Sequence, residues 1–265
     1  MEWWYSLLCA CGTLCFAYVV YSVIRFALAV RNFATVEFKA QPSIKSDPRY
    51  QDPDLLAKAA QLPVARRYLR GQWQNVVFQP REGYCGHASV YTVLLSLSDS
   101  EPKMGPSVPV VSFPMFPRPF VVDNLAVLLE QELRARAIPF RDVAVIRHVD
   151  CSSTSCSALT LEEFRQRLRE TNDPHYRFIA NFLRSPLFYC DSGNGMQFRK
   201  LFGGHFSPIA GYLEDEDLAL VLDVNRKFGF WLVPAPRLYE ACCARDFSSG
   251  RARGLIRVAL DSVHQ

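Results

Sequence analysis

From Trp3 to Ile24 the chain carries no charged side chain and is almost entirely apolar. A helix needs roughly 20 such residues to cross the hydrocarbon core of a bilayer. Met1-Glu2 is not the basic start of a cleaved signal peptide. The positive charges come afterwards, at Arg25, Arg31 and Lys39, which turns the C-terminal side toward the cytosol. Trp3, Trp4 and Tyr5 at one end, with Tyr18 and Tyr21 near the other, suit the two interfaces. The expectation is a single-pass membrane protein: an anchor over residues 1–31 spanning at 3–24, a proline-containing linker over 32–53, and one cytosol-facing domain over 54–265. A buried core helix or an organelle-targeting leader are the alternatives for the apolar stretch.

Charge excludes one class of partner. The net charge is +4, and the arginine-rich stretches (Arg66, Arg67, Arg70 and Arg165, Arg167, Arg169) fall among apolar residues at helical spacing. They read as solvated helix faces and not as a nucleic-acid footprint. The nine cysteines are odd in number and irregularly spaced. Cys9, Cys11 and Cys15 sit in the apolar leader, Cys151 and Cys156 in a serine-rich loop, and Cys242 beside Cys243. No CxxC pair occurs, so neither a disulfide scaffold nor a structural zinc site is expected.

Periodicity orders the rest. Residues 54–70 form a short helix interrupted at Pro63. Asn75 to Phe78 is a short strand candidate, and a buried helix follows Cys85 through Val90, Val93, Leu94 and Leu97. Residues 99–119 are a proline-rich loop, and Val121 to Leu133 recur at helical spacing. Val143 to Ile146 reads as a strand. Thr160 with Glu163 forms a capping box that opens a helix to about Arg169. Strands follow at Phe178–Ala180, 205–213 and Leu218–Val224, the last so apolar that it must be buried on both faces. A loop with glycines fills 184–204, and Leu255 to Val258 closes the chain as a strand. Helices first and strands later argue an α+β fold.

Three side chains have settings that suit chemistry. Cys85 opens the helix in Gly83-Tyr84-Cys85-Gly86, where unpaired N–H groups and a partial positive charge stabilise a thiolate. Gly86 leaves room for a substrate carbonyl beside it. His205 follows Gly203 and Gly204 at a loop-to-strand junction, and the double glycine permits close approach of another chain or a ligand. Asp223 ends the run Leu218–Leu222, where a buried carboxylate is costly unless paired. A hairpin through Glu214-Asp215-Glu216-Asp217 would make His205 and Asp223 neighbours, so that Asp223 holds one imidazole nitrogen while the other faces Cys85. Asp223 pairing with Arg226 is the structural alternative. Gln79, six residues before Cys85, could donate to a developing oxyanion. Nucleophile first, then histidine, then an orienting carboxylate is the chain order of papain-like enzymes.

These residues resemble a known family. Gln79, Tyr84, Cys85, Gly86, Ala88 and Ser89, the segment Gly204 to Tyr212, and Asp223, Val224 and Arg226 are similar to the catalytic domain of phytochelatin synthase. Asn181 to Arg184 and Arg253-Gly254 extend the likeness over about residues 54–260. The resemblance implies a papain-like cysteine protease fold, with Cys85 as nucleophile, His205 as base and acid, Asp223 as orienter and Gln79 as oxyanion donor. It implies Arg226, Asn181, Gly204 and Gly86 at the substrate, Arg226 by forking onto a carboxylate. The implied substrate is glutathione, free or as a metal–glutathione thiolate, with cadmium or zinc as the activating ion and no protein-bound metal. Glycine leaves, a γ-glutamylcysteinyl thioester forms on Cys85, and a second glutathione or water receives it. The resemblance admits a homodimer and implies no nucleic acid. The cysteine-rich C-terminal domain of eukaryotic members is absent from these residues. A reading from a different class is a non-enzymatic membrane-bound thiol or metal-binding module using Cys85, Cys242, Cys243 and His205.

Overall fold

Strand residues that alternate between two apolar clusters organise this chain. The computed structural model describes residues 16–24, 27, 42–69, 75–97, 120–147, 159–188, 203–246 and 248–261. The chain divides into one unit over Met1–Lys39 and another over Ala40–Gln265. In the first, residues 16–24 are helical, with Phe16, Tyr18, Val19, Tyr21, Val23 and Ile24 exposed. The expected span begins outside the described residues, as do most of the loops at 99–119 and 184–204 and the loop of Cys151 and Cys156. Among the described residues no helix is long and apolar enough to cross a membrane. The observed class is therefore α+β, and the transmembrane helix expected with it is not supported.

In the second unit, six strands form one sheet. They are β1 (Phe140–Ile146), β2 (Tyr176–Leu183), β3 (Gly204–Leu213), β4 (Leu218–Leu222), β5 (Phe230–Pro234) and β6 (Gly254–Leu260), in the order β1-β6-β2-β3-β4-β5. Every neighbouring pair is antiparallel. Along β4, Leu218, Leu220 and Leu222 enter one buried cluster and Ala219 and Val221 the other. This is the two-residue period of a strand covered on both faces. The first face is covered by α1 (Pro53–Ala60), α2 (Pro63–Tyr68), α3 (Cys85–Ser96) and α4 (Val122–Ala135). The opposite cluster holds residues of α5 (Leu161–Glu170), α6 (Ser185–Phe188) and α7 (Ala235–Cys243). Thr160 and Glu163 make the expected capping box at α5.

Three local expectations are corrected. Residues 75–78 form no strand: Asn75 lies in a turn, and the Val77 N–H donates to the Thr92 hydroxyl at 3.0 Å and not to a neighbouring strand. Pro63 starts α2 as its first residue instead of kinking one helix, since its missing N–H costs nothing there. Residues 42–52, expected within a linker, belong to the fold. Ile44 and Tyr50 are buried, the Leu232 N–H of β5 donates to the Tyr50 carbonyl at 2.8 Å, and Tyr50 stacks on Trp231.

One glycine decides how β6 enters the sheet. Gly254 has φ +152°, and a Cβ there would collide with the Ile146 carbonyl of the neighbouring strand. Only glycine lets β6 approach β1 this closely, at the point where Gly254 also pairs with Asn181 of β2. Gly254→Ala should cost about 2–4 kcal/mol, read as a lowered denaturant midpoint. An unchanged midpoint would mean that the two backbones separate freely.

Candidate active site

The open end of β3 and β4 gathers the polar residues. Cys85 is the first residue of α3, preceded by Gly83 at φ +89° and by Tyr84, which caps the helix with no side-chain bond. No acidic residue stands in the first turn. The helix start therefore offers unpaired N–H groups and a positive dipole end to the thiol. His205 is the second residue of β3, paired with Phe182 of β2, and its ring packs edge-on against the Phe182 ring. Asp223 follows β4 and is fully buried. The hairpin through residues 214–217 joins the two strands as expected, with Leu213 opposite Leu218.

His205 Nε2 lies 2.8 Å from Asp223 Oδ1. The Asn225 N–H donates to the same oxygen at 2.8 Å. With Nε2 engaged, Nδ1 is the nitrogen left for Cys85, which is hydrogen-bonded to His205. Burial pushes the Cys85 thiol up. The His205 bond and charge, the Phe206 N–H and the Arg184 charge outweigh it and hold the thiol below its ordinary value. Burial pushes the His205 imidazole down, and the Asp223 charge then carries it above its ordinary value against the opposing Arg184 charge. A lowered thiol beside a raised imidazole favours a thiolate–imidazolium pair. Burial likewise pushes Asp223 up, but His205, Arg184 and the Asn225 N–H keep its carboxyl below the usual range.

The other expected residues fall at unequal distances from this line. The Gln79 N–H donates to the Val224 carbonyl at 2.8 Å, which ties Gln79 to the residue after Asp223. Its Oε1 is buried with no partner among the described residues. Asn181 is buried. Its Nδ2 donates to the His205 carbonyl at 3.4 Å, and its Oδ1 accepts from Arg253 at 3.3 Å. Arg226 is exposed and lies over the Phe78 ring at 4.8 Å. It does not pair with Asp223; Arg184 does, at 3.2 Å. The space expected beside the two glycines is also filled from within. A Cβ on Gly86 would come within 2.8 Å of Phe120 Cδ2, and one on Gly204 would strike the Arg253 guanidinium. Close approach at both positions is the protein's own packing.

Two buried cations were not singled out by sequence reasoning. Arg184 follows β2, and its guanidinium sits 4.2 Å from the Phe228 ring centre. Arg253 precedes β6 and pairs with Asp246 at 2.9 Å. Both sit in motifs matched above, but nothing local marks either arginine as inward-facing. Cys242 packs in the cluster on the sheet face opposite to the one Cys85 touches. Among the described residues no group of three or more His, Cys, Asp or Glu is placed to hold a metal ion.

Thiol, imidazole and carboxylate stand in one hydrogen-bonded line on an α+β scaffold, the arrangement that cysteine nucleophiles use. A family model described as phytochelatin synthase matches residues 49–255. The chain belongs to the phytochelatin synthase family. Among curated relatives, it is similar to glutathione gamma-glutamylcysteinyltransferase 1 of Triticum aestivum, 29% identical over 68% of this chain and 34% of the relative. The enzyme of the same name in Arabidopsis thaliana is 31% identical over 68% of this chain and 35% of the relative. The glutathione gamma-glutamylcysteinyltransferase of Schizosaccharomyces pombe is 38% identical over 25% of this chain and 17% of the relative. The matched part of the chain thus spans about a third of the two longer-matched relatives.

Proposed function

We propose that this protein is a glutathione γ-glutamylcysteinyltransferase with a papain-like catalytic fold. The observation that carries the reading is the Cys85–His205–Asp223 line at the start of a helix, within a chain of the phytochelatin synthase family. The Cys85 thiolate attacks the carbonyl of the cysteinyl–glycine bond. The C–N bond breaks, glycine leaves with the proton from His205, and a γ-glutamylcysteinyl thioester remains on Cys85. The amine of a second glutathione then attacks the thioester, gives its proton to His205 and releases Cys85. Water in place of that amine yields γ-glutamylcysteine. Gln79 is assigned to the oxyanion on its placement beside Val224. Arg226, exposed next to the triad strand, is assigned to a substrate carboxylate. Cadmium or zinc is carried on the substrate as a glutathione thiolate complex.

Incubation with glutathione, with and without cadmium, beside Cys85→Ala, tests this reading by product mass. Oligomers of γ-glutamylcysteine ending in glycine, absent with Cys85→Ala, are expected. Free glycine and γ-glutamylcysteine alone would make the protein a glutathione hydrolase. No product from folded protein would overturn the acyl-transfer reading.

The proposal includes tethering at the front. The charge-free stretch from Trp3, the exposed apolar side chains at 16–24 and the cations that follow support an anchor that leaves the catalytic unit in the cytosol. The full chain should stay with membranes through an alkaline carbonate wash; its release would remove the anchor from the reading.

A further inference from the structure

Arg184 Nη2 is shared three ways. It lies 2.9 Å from His205 Nε2, 3.2 Å from Asp223 Oδ1 and 3.3 Å from Asp223 Oδ2. A guanidinium is always charged and only donates. Its contact with Nε2 is a hydrogen bond only when that nitrogen carries a lone pair. The 2.8 Å contact of Nε2 with Asp223 is a hydrogen bond only when the same nitrogen carries a proton. One nitrogen cannot satisfy both at once, so the two partners compete for it.

We infer that Arg184 is a positioning residue that competes with Asp223 for Nε2 of His205 and so sets the alkaline limit of the thiolate–imidazolium pair. While Nε2 keeps its proton, it donates to Asp223, and Arg184 is held by the carboxylate alone. The proton on Nδ1 is then available to a leaving amine. When Nε2 gives its proton to hydroxide, Arg184 donates to the vacated lone pair. His205 is left neutral with its single proton on Nδ1, and transfer of that proton would demand an imidazolate. The thiolate survives, but the general acid is lost.

The surroundings fix Arg184 in this role. Its guanidinium rests on the Phe228 ring, and its Nε has no partner among the described residues. Among the described residues, the charged and titratable groups that face His205 are Cys85 from α3, Asp223 after β4 and Arg184 after β2. Tyr50 lies near Asp223 and Arg184, with its phenol pushed up to about 12, chiefly by burial, and so stays neutral throughout this range. Arg253 is paired with Asp246. Among the described residues, Arg184 is the cation that adds a positive charge next to Nε2.

The inference rests on the acyl-transfer reading for its consequence but not for its test. The ¹⁵N resonance of His205 Nε2 can be followed against pH in the full protein without glutathione. Arg184→Gln should raise the midpoint of Nε2 deprotonation by about one pH unit, since it removes a neighbouring charge. Arg184→Lys keeps that charge and should move the midpoint by less than about half a unit. Where glycine release from glutathione is measurable, the alkaline limb of kcat/KM should move by the same amounts. A Gln midpoint unchanged from wild type, with KM alone raised, would place Arg184 on the substrate and overturn the inference. A Lys shift as large as the Gln shift would overturn it too, because charge would then not be the cause. Should the Gln variant fail to fold, the Lys variant carries the test alone: a midpoint moved up by a full unit overturns the inference.

Discussion

Cys85→Ser should lower glycine release from glutathione by about 10⁴-fold or more while leaving the melting temperature within a few degrees of wild type. Serine fits where the thiol sits, at the first position of α3. A hydroxyl, however, does not reach the anionic state that His205, the Phe206 N–H and the Arg184 charge hold in the thiol. Both shifts, the thiol down and the imidazole up, favour the thiolate–imidazolium pair. Wild-type protein mixed with glutathione and quenched with acid should gain the mass of one γ-glutamylcysteinyl group on the peptide containing Cys85. The serine variant should gain none at matched times. Product formed by Cys85→Ser at the wild-type rate would move the nucleophile elsewhere. Cys242 and Cys243 are poor substitutes, since burial pushes the first well above its ordinary value and the second up to about 12.

Why the triad could be read in advance, and its arginines could not, has a physical cause. Cys85, His205 and Asp223 each stand where a local pattern changes: glycine turn to apolar helix, glycine pair to strand, apolar strand to loop. A hairpin then joins the last two through four acidic residues and brings the start of β3 beside the end of β4, where the 2.8 Å His205–Asp223 contact forms. Arg184 reaches Asp223 from the end of β2, across β3, the one strand that lies between β2 and β4 in the sheet. Long flexible side chains make such contacts wherever a cation, a ring and a carboxylate converge. No period in the sequence encodes that convergence. Residues 42–52 differ from a linker for a related reason. Their prolines and polar residues read as linker, whereas Tyr50 packs on Trp231 and Phe188, aromatics that come far later in the chain. Arg226 shows the opposite error. Proximity in sequence suggested a pair with Asp223, but its side chain turns outward over Phe78. The two glycines are points of close approach, and Phe120 and Arg253 are the side chains packed there.

Asp223→Ala should damage both activity and stability, because the carboxylate has two separable tasks. For His205 it accepts from Nε2 and so leaves Nδ1 toward Cys85. Losing that orienter should cost about 10³-fold or more in kcat/KM, with Cys85 still alkylated by iodoacetamide but with its reactive pH range displaced upward. The fold depends on Asp223 in a different way. It sits fully buried against the Arg184 guanidinium and also accepts from the Asn225 N–H. Removing it leaves a buried cation without a carboxylate, a change of about 3–5 kcal/mol. Asp223→Asn keeps an acceptor for the Asn225 N–H and should recover part of the stability but little of the activity. The pH dependence follows from the sign of the shift. The native carboxyl titrates below its unfolded value, so its contribution is fully present above about pH 4 and is lost as pH falls through the lower native value. Wild type and Asp223→Ala should therefore differ in denaturant midpoint at pH 7 and converge toward acid. Equal midpoints at pH 7 would show that the buried pair adds nothing net to the fold, and any loss of activity in that variant would then belong to His205 alone.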